Sequence, residues 1–132
     1  MAITYPIQGY PNGDKWTGTY NGASQCMGFA YLVFDKTYGI KNGTSISKKT
    51  FTTEEECKTA FSNIKVGAMV NFTWKAGAAY SGNHSVIITA KSDTGVSVYD
   101  CNFSAANTIG SRTWKWENII SRFDVISGGL NP

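Results

Sequence analysis

Apolar residues crowd one stretch of this chain most densely: Cys26-Met27-Gly28-Phe29-Ala30-Tyr31-Leu32-Val33-Phe34, unbroken until Asp35 and Lys36. The stretch follows the turn formers Tyr20-Asn21-Gly22-Ala23 and a good N-cap residue, Ser24, so it predicts a largely buried helix over about 25–38. Thr52-Thr53-Glu54-Glu55-Glu56 opens a second helix, with Cys57, Ala60, Phe61 and Ile64 at helical spacing. From residue 66 the period shortens to two. Strands are expected over 66–74, 84–90 and 96–103, with a glycine-rich loop at 75–82 and a tight turn at Ser92-Asp93-Thr94-Gly95. A strand through 112–116, a short helical turn and a last strand near 123–126 complete the pattern. Residues 1–23 read as an irregular arm folded over the body, and 127–132, Ser-Gly-Gly-Leu-Asn-Pro, as the entrance to a linker. Helix, helix, then meander predicts an α+β fold with its helices gathered on one side of an antiparallel sheet.

Length and composition narrow the possible functions. The 132 residues suffice for one core and not for two ordinary domains, so 1–132 is read as a single domain. A net charge of +3 carried by scattered lysines makes no nucleic-acid stripe, although it suits an anionic polymer such as a bacterial wall as well as it suits solubility. No run of eighteen apolar residues exists to span a membrane, and Met1 to Gln8 lacks the pattern of a signal peptide. Three cysteines make an odd count; if Cys57 and Cys101 pair in an oxidising compartment, Cys26 is the thiol left over. With one histidine, no CxxC spacing, and Asp14 and Asp35 isolated, neither a metal site nor a cofactor is expected.

Cys26 falls in the first helical turn, where unpaired N–H groups and the helix dipole favour a thiolate; a small buried hydrophobe is the plainer alternative. A nucleophilic thiol needs a base, and the chain offers His84 alone. With a three-residue turn at 92–94 and Gly95 as a left-handed bulge, Ala90 falls opposite Val96 and His84 opposite Asn102. His84, Asp100 and Asn102 then share a face with Val96 and Val98, on which the Cys26 helix can pack, whereas a slip of one residue turns His84 away. The chemistry assigns attack on a carbonyl to Cys26, proton transfer to His84, orientation of the ring to Asp100, and an alternative or supporting role to Asn102. The Gln25 side chain or the Cys26 backbone N–H could stabilise the oxyanion, although Gln25 also suits an ordinary first turn, and Asp100 and Asn102 a turn start. Trp74, Tyr80, Trp114 and Trp116 are candidate walls of a substrate groove, or core residues.

Gln25-Cys26-Met27 heading an apolar helix, Lys65-Val66-Gly67-Ala68-Met69-Val70, Asn83-His84-Ser85-Val86-Ile87-Ile88 and Asp100-Cys101-Asn102 together resemble the CHAP domains. Those are cysteine, histidine-dependent amidohydrolases/peptidases of the papain-like superfamily that also holds the NlpC/P60 enzymes. The resemblance spans roughly residues 15–126 and implies a papain-like fold and a peptidoglycan hydrolase of the endolysin or autolysin kind. Such an enzyme acts as an N-acetylmuramoyl-L-alanine amidase or an endopeptidase, secreted, wall-associated or released at phage lysis. It is expected as a monomer or as one module of a longer protein. The family's cysteine, histidine, acid, asparagine and glutamine carry onto Cys26, His84, Asp100, Asn102 and Gln25. Gly28 stands where an acid is frequent, Asn83 where a glycine is, and Asp100 where glutamate is common; these departures bear on which bond is cut. The other expectations are a papain-like toxin or effector protease and a wall-binding module without catalysis. Sequons at Asn83 and Asn102 would glycosylate the proposed site in a eukaryotic secreted protein, which favours a bacterial or phage source.

Overall fold

A computed structural model describes residues 3–132 as an α+β domain built on one antiparallel sheet. A small hairpin, β1 (Thr19–Tyr20) and β2 (Ala23–Ser24), leads directly into helix α1 (Gln25–Thr37). Two short strands, β3 (Thr44–Ser45) and β4 (Lys49–Thr50), precede α2 (Glu54–Ala60), which starts on the Thr53/Glu56 capping box. The body of the sheet follows as β5 (Met69–Trp74), β6 (Asn83–Lys91), β7 (Gly95–Cys101) and β8 (Ile109–Lys115). Helix α3 (Trp116–Ile120) and strand β9 (Phe123–Asn131) complete the chain. The spatial order is β3-β9-β5-β6-β7-β8, with β4 also paired to β9.

The helices do not gather on one side. Helix α1 covers the face that presents Met69, Ile87, Tyr99, Cys101 and Ile109, whereas α2 and α3 cover Val70, Phe72, Val86, Ile88, Val96, Val98 and Trp114 on the other. The physical cause lies in β6, where His84 to Ile88 are all buried: a strand apolar at both parities needs cover on both faces. Val96 and Val98 consequently pack under α2 and α3, away from the Cys26 helix. Cys57 and Cys101 lie in these opposite cores as free thiols, so the sheet separates the two cysteines whose pairing the sequence left open.

The chain's end also departs from expectation. Residues 127–131 continue β9, with Gly128, Gly129 and Leu130 opposite Asn71, Val70 and Met69. Leu130 packs on the α1 core, and the Asn131 side chain accepts from the Lys65 N–H and donates to the Asn63 carbonyl. A Cβ at Gly129 would sit 2.1 Å from the Met69 carbonyl oxygen, so this glycine serves close pairing and not flexibility. The arm preceding α1 folds back as expected, laying Tyr5, Ile7, Tyr10, Trp16 and Tyr20 against the α1 core.

The β6–β7 hairpin reaches the expected register by another route. Ser92 and Gly95 close a two-residue turn, through the Ser92 N–H to the Gly95 carbonyl at 2.9 Å, and Lys91 faces Val96. An irregularity between Ile88 and Ala90 then restores Ile88 opposite Val98 and Ile87 opposite Tyr99. Gly95 is not left-handed; its missing Cβ makes room for the Trp114 carbonyl oxygen, 2.0 Å from where that atom would be.

Candidate active site

Three elements bring the candidate residues together: the start of α1, the start of β6 and the end of β7. The chain enters α1 through Ser24 in extended conformation and Gln25 at φ +53°, which turns it sharply into the helix. Ser24 occupies the N-cap position, but its side chain makes no capping bond and the first turn carries no acid. The N–H groups of this turn are therefore not taken by a carboxylate or hydroxyl of the helix's own start. Gly28 permits the geometry, since a Cβ there would lie 2.3 Å from the Ala23 carbonyl oxygen and 3.1 Å from the Trp16 ring. The helix start can thus lie directly on its own hairpin.

Cys26, half-buried, meets the imidazole of His84. Burial opposes ionisation of the thiol, but the contact with His84 and the backbone N–H groups of Ser85 and Met27 outweigh it, leaving the Cys26 pKa below the ordinary thiol value. His84 is 3% exposed, boxed by the rings of Phe103, Trp74 and Trp114 at 5.0, 6.4 and 6.4 Å between centroids. Its Nε2 donates to Asp100 Oδ2 at 2.7 Å; a carboxylate only accepts, which leaves Nδ1 for the thiol. Desolvation pushes the His84 pKa down, yet the bonds to Asp100 and Cys26 carry it above the ordinary imidazole value. Asp100 is fully buried, and its Oδ2 also accepts from Arg112.

A cleft of about 420 Å³ opens over this cluster, lined by Gln25, Cys26 and His84 with Trp74, Tyr80, Asn83, Asn102 and Phe103. Trp74 stacks on Phe103 at 6.1 Å and 6°, and Tyr80, 64% exposed, tilts against Trp74.

No family model, curated protein or solved structure matches this chain.

The remaining candidates fall elsewhere. Asn102 sits at φ +69° just past β7, and its side-chain oxygen accepts from the Asn107 N–H, which holds loop 102–107 closed. It borders the cleft but makes no hydrogen bond to His84, because β7 has ended and the left-handed turn directs its side chain to the loop. Trp114 lies beneath His84 and Phe103 in the core, and Trp116 packs on Phe61 on the far side with its indole N–H on the Asp93 carbonyl at 2.7 Å. Neither lines the cleft; Trp114 points from β8, and Trp116 from α3, into the core on the α2 side of the sheet. Among the described residues no group of three or more His, Cys, Asp and Glu could hold a metal.

Phe103 and Arg112 escaped the sequence reading. Phe103 carries no pattern of its own, being a loop residue after the strand. Arg112 carried one: Gly110, Arg112 and Trp114 alternate on one face, and the register Val98 to Arg112 and Asp100 to Gly110 puts that face under Asp100. A cation in an inward series asks for a buried anion.

Chemically, the cluster can hold a thiolate against an imidazolium with a buried carboxylate behind it. That is what nucleophilic attack on an electrophilic carbon followed by protonation of a leaving group requires.

Proposed function

We propose that this chain is a papain-like cysteine hydrolase that cleaves an amide bond in the peptide part of bacterial cell wall, as an N-acetylmuramoyl-L-alanine amidase or an endopeptidase. The observation that carries the reading is the Cys26–His84–Asp100 relay, with the thiol at a helix start and the ring nitrogens shared between thiol and carboxylate. The resemblance of its four segments to the CHAP domains supplies the substrate class, and the open aromatic cleft suits a peptide strand better than a small ligand.

In this mechanism the Cys26 thiolate attacks the scissile carbonyl carbon, forming an S–C bond while the π pair moves to oxygen. The Cys26 backbone N–H and the Gln25 amide, both at the cleft, serve the oxyanion. Collapse breaks the C–N bond, and imidazolium His84 gives its proton to the departing nitrogen. Water then attacks the thioester as His84 takes a proton from it, releasing the acid and restoring the thiolate. Trp74 and Tyr80 flank the strand; Asp100 keeps the ring oriented throughout. The enzyme acts outside the cell, wall-associated or released at lysis, on peptidoglycan as partner.

The test is digestion of purified peptidoglycans from several bacteria by wild type and Cys26→Ala, with mass spectrometry of the soluble products. Fragments released by wild type alone support the reading, and their new termini name the bond. Equal sedimentation of both proteins with the wall and no release would favour a binding module, and absence of both would redirect the search to a protein substrate.

A further inference from the structure

We propose that Arg112 is a positioning residue of the Cys26 site: by pairing with buried Asp100 it pins that carboxylate against His84, and through it sets the charge held on His84 and the nucleophilicity of Cys26. The inference rests on the cysteine-hydrolase reading for its functional meaning, but its test needs no substrate.

Asp100 has no exposed surface, and its Oδ1 has no hydrogen-bond partner among the described residues. Its Oδ2 receives both His84 Nε2 and Arg112 Nη1. With its Oδ1 unbonded, His84 alone would leave the carboxylate free to turn; the guanidinium on Oδ2 pins it against the ring. Arg112 is held for the task. Its guanidinium carbon stands 4.5 Å from the Phe103 centroid, and Gly110, opposite Asp100 on β8, leaves the guanidinium its space: a Cβ there would fall 2.5 Å from Arg112 Nη2.

Among the described residues the charged and titratable groups facing His84 are few: Cys26 from α1, Asp100 from β7 and Arg112 from β8, with Arg122 further off, 5.8 Å from the Phe103 centroid. The other walls are the neutral rings of Trp74, Phe103 and Trp114. This inventory gives two opposed expectations for removing Arg112. If its charge merely neighbours His84, its loss relieves repulsion and the His84 midpoint rises. If it acts through Asp100, its loss frees the carboxylate to turn from Nε2, the imidazolium loses its counter-ion, and the midpoint falls.

His84 is the one histidine in the sequence, so its ring resonances in an NMR titration belong to it without assignment. In Arg112→Gln the His84 midpoint is expected to fall by about one unit or more, and alkylation of Cys26 by iodoacetamide near pH 6 by about tenfold, as a unit of pKa implies. Arg112→Lys, which keeps the charge and loses the fork, is expected to recover most of both. A midpoint that stays or rises in Arg112→Gln, or a lysine variant no better than the glutamine one, overturns the proposal. Should the glutamine variant not fold, Gly110→Val tests the same point by filling the space of the guanidinium: the midpoint falls if the proposal holds and stays or rises if it fails. Wall digestion is scored separately, so a wild type that digests nothing counts against the hydrolase reading while the titration still decides the role of Arg112.

Discussion

At the scale of single residues, the chemistry turns on the sharing of one imidazole. Cys26→Ala and His84→Ala are each expected to lower wall hydrolysis by about a thousandfold or more, since either change removes the relay as a unit. Asp100→Asn keeps the shape but cannot hold the ring's charge, and should cost roughly 10²–10⁴-fold in kcat. The pH profile follows from the two shifts: activity requires the thiolate and the imidazolium together. The lowered Cys26 pKa sets the acid limb and the raised His84 pKa the alkaline limb, so wild type should show a bell whose acid limb lies below the ordinary thiol range. Loss of the alkaline limb in wild type would contradict it. Cys26, His84 and Asp100 stood out in the sequence because their chemistry is rare and strand alternation aligns two of them. Asn102 did not keep its expected place, since alternation holds only while the strand lasts and the left-handed turn at 102 ends it. Trp114 and Trp116 were ambiguous for a plain reason: aromatic residues serve cores and grooves alike.

At the scale of elements, α1 is the piece whose placement decides the chemistry. Gly28→Ala introduces a Cβ into the Ala23 carbonyl, so the helix start must shift. The expected cost is about 1–3 kcal/mol, read as a lower melting temperature, and the Cys26 alkylation rate should fall with it. Unchanged melting and alkylation would show that the close approach is not required. The helices and central strands were legible from periodicity and capping signals, to within a few residues at their ends. Sidedness was not, although β6 held the clue in a run buried at both parities. The hairpin shows how a right register can follow from a wrong turn: a two-residue turn and a later irregularity give the same offset at Ile88 as one three-residue turn would have.

At the scale of the molecule, the sheet divides the three thiols into different environments. Burial pushes Cys57 up to about 12 and, with the charges of Asp100 and Cys26, Cys101 up to about 11, whereas Cys26 is lowered and borders the cleft. Native protein at neutral pH should therefore consume one equivalent of thiol reagent rapidly, and denatured protein three without reductant. Two equivalents fewer in the denatured state would mean a disulfide and contradict the opposed cores. Deleting residues 127–132 should destabilise the domain by about 2 kcal/mol or more in chemical denaturation, because strand pairing and Leu130 packing go with it; a linker would be lost without effect. Composition alone made this segment a linker, since Ser-Gly-Gly says nothing of the strand waiting beside it.

The most direct measurement of the central claim labels native protein with one equivalent of iodoacetamide, maps the adduct by peptide mass spectrometry, and assays wall digestion on the same samples. The label is expected on Cys26, with activity declining in proportion to it. Full digestion by protein labelled completely at Cys26 would contradict the account.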